Sequence, residues 1–266
     1  MTQYKNILYE KKGKIATITL NRPDKMNALS DELMAELPVA LEESDNDSDV
    51  RVTILTGAGG NFCSGYDLEG GSSYTELDVP LQSALTIARS IRKKYLDLMN
   101  TRKPTIAKVS GFCFAGGVYI QMLCDVAIAS EDAVFGHTAV ASAGPTGMAL
   151  WVWLLGARKA KEMLLTGRLI TGKEAERIGL VNMAVPPEKL DEEVELMAQD
   201  MAAIPLDSSV LTKESIQTAL EITGLYATFR TQAELNALGR YGEANLDIGW
   251  LRGVTKDKLN RLRQNK

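Results

Sequence analysis

Two glycine-rich loops, each entered from an apolar run and left toward a helical pattern, restrict this chain more than any other feature. Val52-Thr53-Ile54-Leu55 runs into the segment Gly57 to Gly65, and a helical pattern follows from about Leu81 to Asn100. Thr105 to Val109 enters a second loop, Gly111 to Gly117, which opens a short helix ending near Cys124. Such strand–turn–helix units call for a layered α/β core. Spacing weakens two nucleotide readings. Gly57-Ala58-Gly59-Gly60-Asn61-Phe62 has Phe62 where GxGxxG needs its last glycine, and the GxxxxG of Gly111 to Gly116 continues as Gly117-Val118, without the Lys-Ser/Thr that grips phosphate. Either loop alone reads as a tight turn. Together they offer two main-chain N–H groups beside a helix N-terminus at Gly116, the ingredients of an oxyanion hole.

The rest of the chain fits around that core. Ile7 to Glu10 and Ile15 to Leu20 read as a hairpin across Lys12-Gly13-Lys14. Ser30 caps a helix with Asp31 and Glu32 in its first turn, and Pro38 predicts a kink or an early end to it. Val126 to Ala129 and Val134-Phe135 are further strands. After about residue 145 the pattern becomes almost all helical. Thr171 to Glu174 is a capping box, Leu190, Val194, Met197 and Met201 share one helix face, and Leu206 to Leu246 is helical with a break at Gly224. The division expected is a core at 1–200 and a helical region at 201–266.

Composition excludes several functions. Acidic residues (34) exceed basic ones (30), for a net charge of −4, which disfavours a nucleic-acid role. No stretch approaches the roughly 18 apolar residues of a membrane span, and the start lacks a signal pattern, so a cytoplasmic protein is expected. The 3 cysteines, Cys63, Cys113 and Cys124, form no CxxC pair and read as reduced, packed thiols. The single histidine, His137, rules out zinc sites built on paired histidines, and no GxSxG turn exists for a serine hydrolase. No metal is expected.

The order of the motifs resembles the crotonase (enoyl-CoA hydratase/isomerase) superfamily over nearly the whole chain. The matching segments run from Leu20-Asn21-Arg22-Pro23-Asp24-Lys25-Met26-Asn27-Ala28-Leu29 and Leu55-Thr56-Gly57 to Phe62-Cys63-Ser64-Gly65-Tyr66-Asp67-Leu68. They continue with Gly111 to Gly117, Cys124-Asp125, Phe135-Gly136, Leu164 to Gly167 and Ala175 to Asn182. The resemblance implies a crotonase-like ββα spiral core, a C-terminal helical trimerisation region and a homotrimer or dimer of trimers. It also implies an acyl-CoA thioester substrate, with coenzyme A present as part of that substrate and no permanently bound cofactor. It assigns the oxyanion amides to Tyr66 and Gly116, an adenine pocket to Lys25, Met26 and Ala28, and a pantetheine channel to Ser64, Gly65, Asp67 and Leu68. Gly117, Ala139 and Val140 belong to the expected acyl-CoA surface. Asp67 is expected to fix its turn through nearby N–H groups rather than to react.

The chain departs from the hydratases where the chemistry should be. The two family glutamates that handle water and the α-proton fall, by the same motifs, at Tyr119 and Ala139. A phenol near pKa ~10 is no carboxylate base at neutral pH, though it can donate a hydrogen bond. His137 is the first candidate for a base or acid and Tyr119 the second, while Glu234, Tyr241 and Glu243 lie in the helical region expected to close the acyl pocket. Tyr66 follows Ser-Gly, where a superfamily decarboxylase carries a histidine, so its side chain is a candidate wall of the acyl site. The second glycine loop also resembles that of hydroxycinnamoyl-CoA hydratase-lyases. Of Trp151 and Trp153, one is expected in the core and the other at an interface or the acyl pocket. An enolate-forming lyase, isomerase or hydratase is the leading expectation. Its rivals are a malonyl-type decarboxylase, a hydrolase of cyclic acyl-CoA, and a catalytically silent CoA-binding subunit.

Overall fold

A computed structural model describes residues 3–73, 79–138, 150–239 and 248–264. Strands β1 (Ile7–Lys12) and β2 (Ile15–Leu20) form the expected hairpin, with Gly13 in the left-handed region at φ 60°. Helix α1 (Asp31–Asn46) starts at Ser30, whose Oγ accepts the Leu33 N–H at 3.2 Å. Pro38 does not end it. The missing N–H removes one helical bond, but Leu33, Met34, Leu37, Ala40 and Leu41 bury the helix against the core on both sides of the proline, and that packing carries it through.

The chain then builds three turns of a spiral. In each, a strand of a large sheet bends into an extended segment of a small one, and a helix or the approach to one follows. The first is β3 (Val52–Gly57), the stretch through Cys63, and α2 (Leu81–Met99). The second is β4 (Thr105–Val109), β5 (Phe112–Phe114) and α3 (Gly116–Leu123). The third is β6 (Val126–Ser130) and β7 (Val134–Gly136), with α4 (Leu150–Thr166) next among the described elements and non-helical at Gly156. The second glycine loop is therefore not all loop, because β5 lies inside it.

The region after 145 is less helical than its sequence implies. A strand β8 (Leu169–Thr171) precedes α5 (Gly172–Arg177), whose capping box holds through Thr171 Oγ1 and the Glu174 N–H at 3.3 Å. A strand β9 (Met183–Val185) follows. The large sheet runs β1-β2-β3-β4-β6-β9 and is parallel beyond the hairpin, while the small one runs β5-β7-β8. These added strands have three residues each, too few for periodicity to register. Helix α6 (Leu190–Ala203) covers the large sheet with Leu190 and Val194, and Met197 and Met201 pack beside them. Helices α7 (Leu206–Ile222) and α8 (Leu225–Gly239) turn at Gly224, φ 94°, as expected, and α9 (Ile248–Gln264) ends the described chain. No helix among the described residues is long and apolar enough to cross a membrane.

Candidate active site

The two glycine loops are fastened to each other. Cys63 and Cys113 form a parallel bridge, in which the Cys63 N–H donates to Phe112 O at 3.0 Å and the Phe114 N–H to Cys63 O at 2.9 Å. The contact continues into α3. A Cβ on Gly65 would lie 3.5 Å from Gly116 N, and one on Gly117 would collide with Cys63 O at 2.6 Å. Only a Gly-Gly pair lets the first turn of α3 come this close to the other loop. Gly116 is the first residue of the helix, so its N–H has no partner inside it. The preceding Ala115 adopts φ 46°, a left-handed conformation rare outside glycine, and its N–H is held by Gly136 O at 3.0 Å.

Loop one is pinned from the other side by the segment after β2. Arg22 pairs with Asp67 at 2.8 Å, with both side chains largely buried, and also donates to Ala28 O. Asp67 Oδ1 accepts the Glu69 N–H at 3.0 Å, the turn-fixing role expected of it. Burial alone would raise the Asp67 carboxyl, but the Glu69 N–H and Arg22 outweigh it and hold the group below the usual carboxylate range. Asn27, at φ 55°, donates to Ala58 O and Asn61 O and accepts from the Arg22 N–H. The Ser64 N–H reaches Met26 O at 3.0 Å and Ser64 Oγ reaches Lys25 O at 3.3 Å. Residues 25–28 and 64–68 thus lie side by side: Lys25 and Met26 are exposed, Ala28, Gly65 and Asp67 are buried, and Ser64 and Leu68 are half-buried. Lys25 and Arg252 of α9 both pair with Glu69. Thr255 of the same helix meets Thr138 at 3.3 Å, so α9 spans the rim from loop one to the segment after β7.

Around Gly116 stand three phenols and the imidazole. The Tyr66 ring lies against Gly116, where an added Cβ would come within 3.2 Å of Cε2, and the Tyr66 hydroxyl is hydrogen-bonded to that of Tyr95 on α2. Tyr95 meets the Tyr119 ring edge-on at 5.9 Å. Tyr119, only 1 % exposed, joins its hydroxyl to His137 Nε2 at 3.1 Å. Burial pushes His137 down to about 4, and its Nδ1 has no hydrogen-bond partner among the described residues. The imidazole is therefore neutral at pH 7: it cannot start as a proton donor in imidazolium form, and it is a weak base.

Glu234 pairs with Arg89 of α2 at 2.9 Å. Ala139, Val140, Tyr241 and Glu243 lie outside the described residues. Trp151 is fully buried, while half-buried Trp153 donates to Thr223 at 3.3 Å. All three cysteines are free and buried, and desolvation lifts Cys63 and Cys124 to about 12, which leaves no thiolate to react. Sequence reasoning passed over Tyr95, which sits on the buried stripe Ala84, Ala88, Ile91, Tyr95, Leu98 and so reads as core. A hydroxyl in such a stripe, which needs a polar partner, was the available signal.

A ββα spiral whose two strand-to-helix turns meet at one helix N-terminus is the crotonase-like architecture. A family profile described as enoyl-CoA hydratase/isomerase matches residues 10–240. A probable enoyl-CoA hydratase of Rhizobium meliloti (strain 1021) is 36% identical over 223 residues, covering 83% of this chain and 84% of the relative. The short-chain-enoyl-CoA hydratase of Clostridium acetobutylicum is 34% identical over 220 residues, covering 81% and 82% of the two chains. Among solved structures, an enoyl-CoA hydratase/isomerase from Xanthobacter autotrophicus Py2 superposes with a TM-score of 0.86 at 31% identity, covering 98% of this chain and 97% of the other. The chain belongs to the enoyl-CoA hydratase/isomerase family.

Proposed function

We propose that this chain binds an acyl-CoA thioester and stabilises its enolate, with the main-chain N–H groups of Tyr66 and Gly116 directed at the thioester oxygen. The observation that carries this reading is the Cys63–Cys113 bridge, because it brings residue 66 of one loop beside the first residue of α3. Negative charge gathering on that oxygen would meet two donors and the positive end of a helix. Coenzyme A enters as part of the substrate, with its adenine end along Lys25, Met26 and Ala28 and its pantetheine arm beside Ser64, Gly65, Asp67 and Leu68. The reading extends to a cytoplasmic homotrimer or dimer of trimers, supported by apolar side chains such as Leu211 and Ile222 that stand exposed on the single chain.

The reaction type follows from what surrounds the hole. Where a hydratase of this family is expected to carry glutamates, this chain has Tyr119 and Ala139. Tyr119 is tied to a neutral imidazole, so glutamate-type activation of water is not the mechanism proposed. A lyase or isomerase that makes the enolate and leaves proton transfer to weaker groups fits better. The same shortage of a strong base favours a second reading, decarboxylation of a malonyl-type CoA, in which loss of CO₂ creates the enolate directly.

The test is mass spectrometry of an acyl-CoA panel incubated in D₂O, scoring product and deuterium at Cα. Enolate chemistry predicts deuterium uptake in wild type that Gly116→Ala abolishes. CO₂ release from methylmalonyl-CoA without hydration of crotonyl-CoA selects the second reading. Tight binding of coenzyme A with neither product nor exchange refutes both and leaves a silent binding subunit.

A further inference from the structure

We propose that the Tyr66 hydroxyl is the group that delivers a proton to Cα of the thioester enolate, and that Tyr95 is the positioning residue that holds it there. This rests on the enolate reading above and supplies the proton-transfer group that reading lacks.

The geometry comes from two independent contacts. The Tyr66 ring packs on Gly116, and a methyl group there would lie 3.2 Å from Cε2 and 3.4 Å from Cδ2. The residue whose amide is assigned to the carbonyl oxygen therefore also lays its side chain along the other donor, and it is on that side that we place Cα of a bound thioester. The second contact is the hydrogen bond between the Tyr66 and Tyr95 hydroxyls. Tyr95 is itself immobilised: it is buried on α2 and packed edge-on against Tyr119, which His137 holds in turn. Tyr119 bonds the imidazole and Asp67 pairs with Arg22.

The chemistry balances without a further reagent. The enolate carries its charge on the thioester oxygen between the two amides. Its Cα takes the proton of the Tyr66 hydroxyl, a C–H bond forms, the O–H bond breaks, and the charge moves to the Tyr66 oxygen. Tyr95 donates its O–H to that phenolate, since a hydrogen bond to the charged form stabilises it. Water returns the proton to Tyr66 as product leaves. A phenol is a far stronger acid than the α-carbon of a thioester, so the transfer runs downhill with no carboxylate. In reverse, the small fraction of Tyr66 that has lost its proton to water takes an α-proton onto its oxygen and leaves the enolate charge between the two amides, an uphill and therefore slow path that exchanges α-hydrogens with solvent.

The experiment follows deuterium uptake at Cα of butyryl-CoA in D₂O for wild type, Tyr66→Phe, Tyr95→Phe and Gly116→Ala, each confirmed folded by circular dichroism. Wild type is expected to label one of the two prochiral positions. Tyr66→Phe is expected to lose about 100-fold or more of the saturated rate, with the residual label spread over both positions because water now supplies it. Tyr95→Phe is expected to lose about 10-fold in saturated rate with half-saturation unchanged, a split that general loosening of the core would not give. Equal rates and stereochemistry in wild type, Tyr66→Phe and Tyr95→Phe, with exchange abolished in Gly116→Ala, overturn the phenol assignment and leave the oxyanion reading standing. Unimpaired exchange in Gly116→Ala sinks the reading beneath it, and so does a wild type that neither exchanges nor releases CO₂ from methylmalonyl-CoA.

Discussion

Helices α3 and α7 are opposites. All eight residues of α3 are buried, whereas α7, with 17 residues, buries only Lys213. The short helix is held by its surroundings on every side, so its glycines are dictated by contact and its one phenol is fixed in place. The long helix is anchored chiefly by a buried ammonium: Lys213 Nζ reaches Asp125 at 2.7 Å, Thr101 Oγ1 at 3.0 Å and Lys103 O at 3.1 Å, with Gln217 donating to Met99 O and Leu220 packing on the core beside it. The rest of its surface carries Leu211, Ile216 and Ile222 outward. Precision is concentrated where the chemistry is proposed, and adhesion is left to the periphery.

That contrast can be broken at graded points. Gly116→Ala should have the largest effect. Its methyl group would meet Leu29 Cδ1 at 2.7 Å and the Tyr66 ring at 3.2 Å, which pushes apart the two loops whose amides are assigned to the oxygen, and a displaced donor costs up to the ~2.7–4 kcal/mol of a lost one, read as kcat/KM. Unchanged turnover would show that α3 is tight for packing alone. Asp67→Ala leaves Arg22 with a buried, unpaired charge and should cost about 3 kcal/mol in urea unfolding. Lys213→Met removes the anchor of α7, while exposed Asp125 keeps the Thr105 N–H and hydroxyl, so the expected cost is about 1 kcal/mol by the same measurement. Leu211→Glu on the outer face of α7 should change the stability of the single chain by no more than about 0.5 kcal/mol. If that face meets a second copy, the same change lowers the mass seen by sedimentation.

Acid titration sharpens the comparison from another side. His137 has its folded pKa pushed down to about 4, below the ordinary value near ~6.5, so between those values the unfolded chain binds a proton that the folded one refuses. Stability is therefore full above about 6.5 and falls with acidification through that window, at up to ~1.4 kcal/mol per pH unit. His137→Gln should flatten this slope, and denaturant titrations between pH 7 and 4 would reveal it. The Asp67 carboxyl, held low, adds a second loss only below the ordinary carboxylate range, as pH falls through its folded pKa.

Much of the spiral was legible because glycine, apolar runs and caps are local signals. The hairpin, the Ser30 and Thr171 caps, β3, β4, β6 and the break at Gly224 all lie where local rules put them. The short strands β5, β8 and β9 were not, because three residues hold no period and exist only through their partners. Of the kink or early end read from Pro38, the early end does not occur, since tertiary packing overrode a local penalty. Around the candidate site, the position of Gly116 at a helix start could be read from the strand-to-helix pattern. Tyr95 gave only the weak signal of a hydroxyl in an apolar stripe, because its partner is supplied by a loop 29 residues earlier in the chain. His137 was visible as the lone imidazole, while its neutrality belongs to burial and not to sequence.

The bridge between Cys63 and Cys113 has a practical consequence. Both sulfurs are sealed, and desolvation keeps them protonated far beyond neutral pH, so an alkylating reagent has nothing to attack while the strands stay zipped. Modification would have to wait for that seam to part, and its rate becomes a stopwatch for how often the loops separate. An acyl-CoA that bridges the two loops should slow the stopwatch in proportion to its occupancy, reporting engagement even where no turnover is observed.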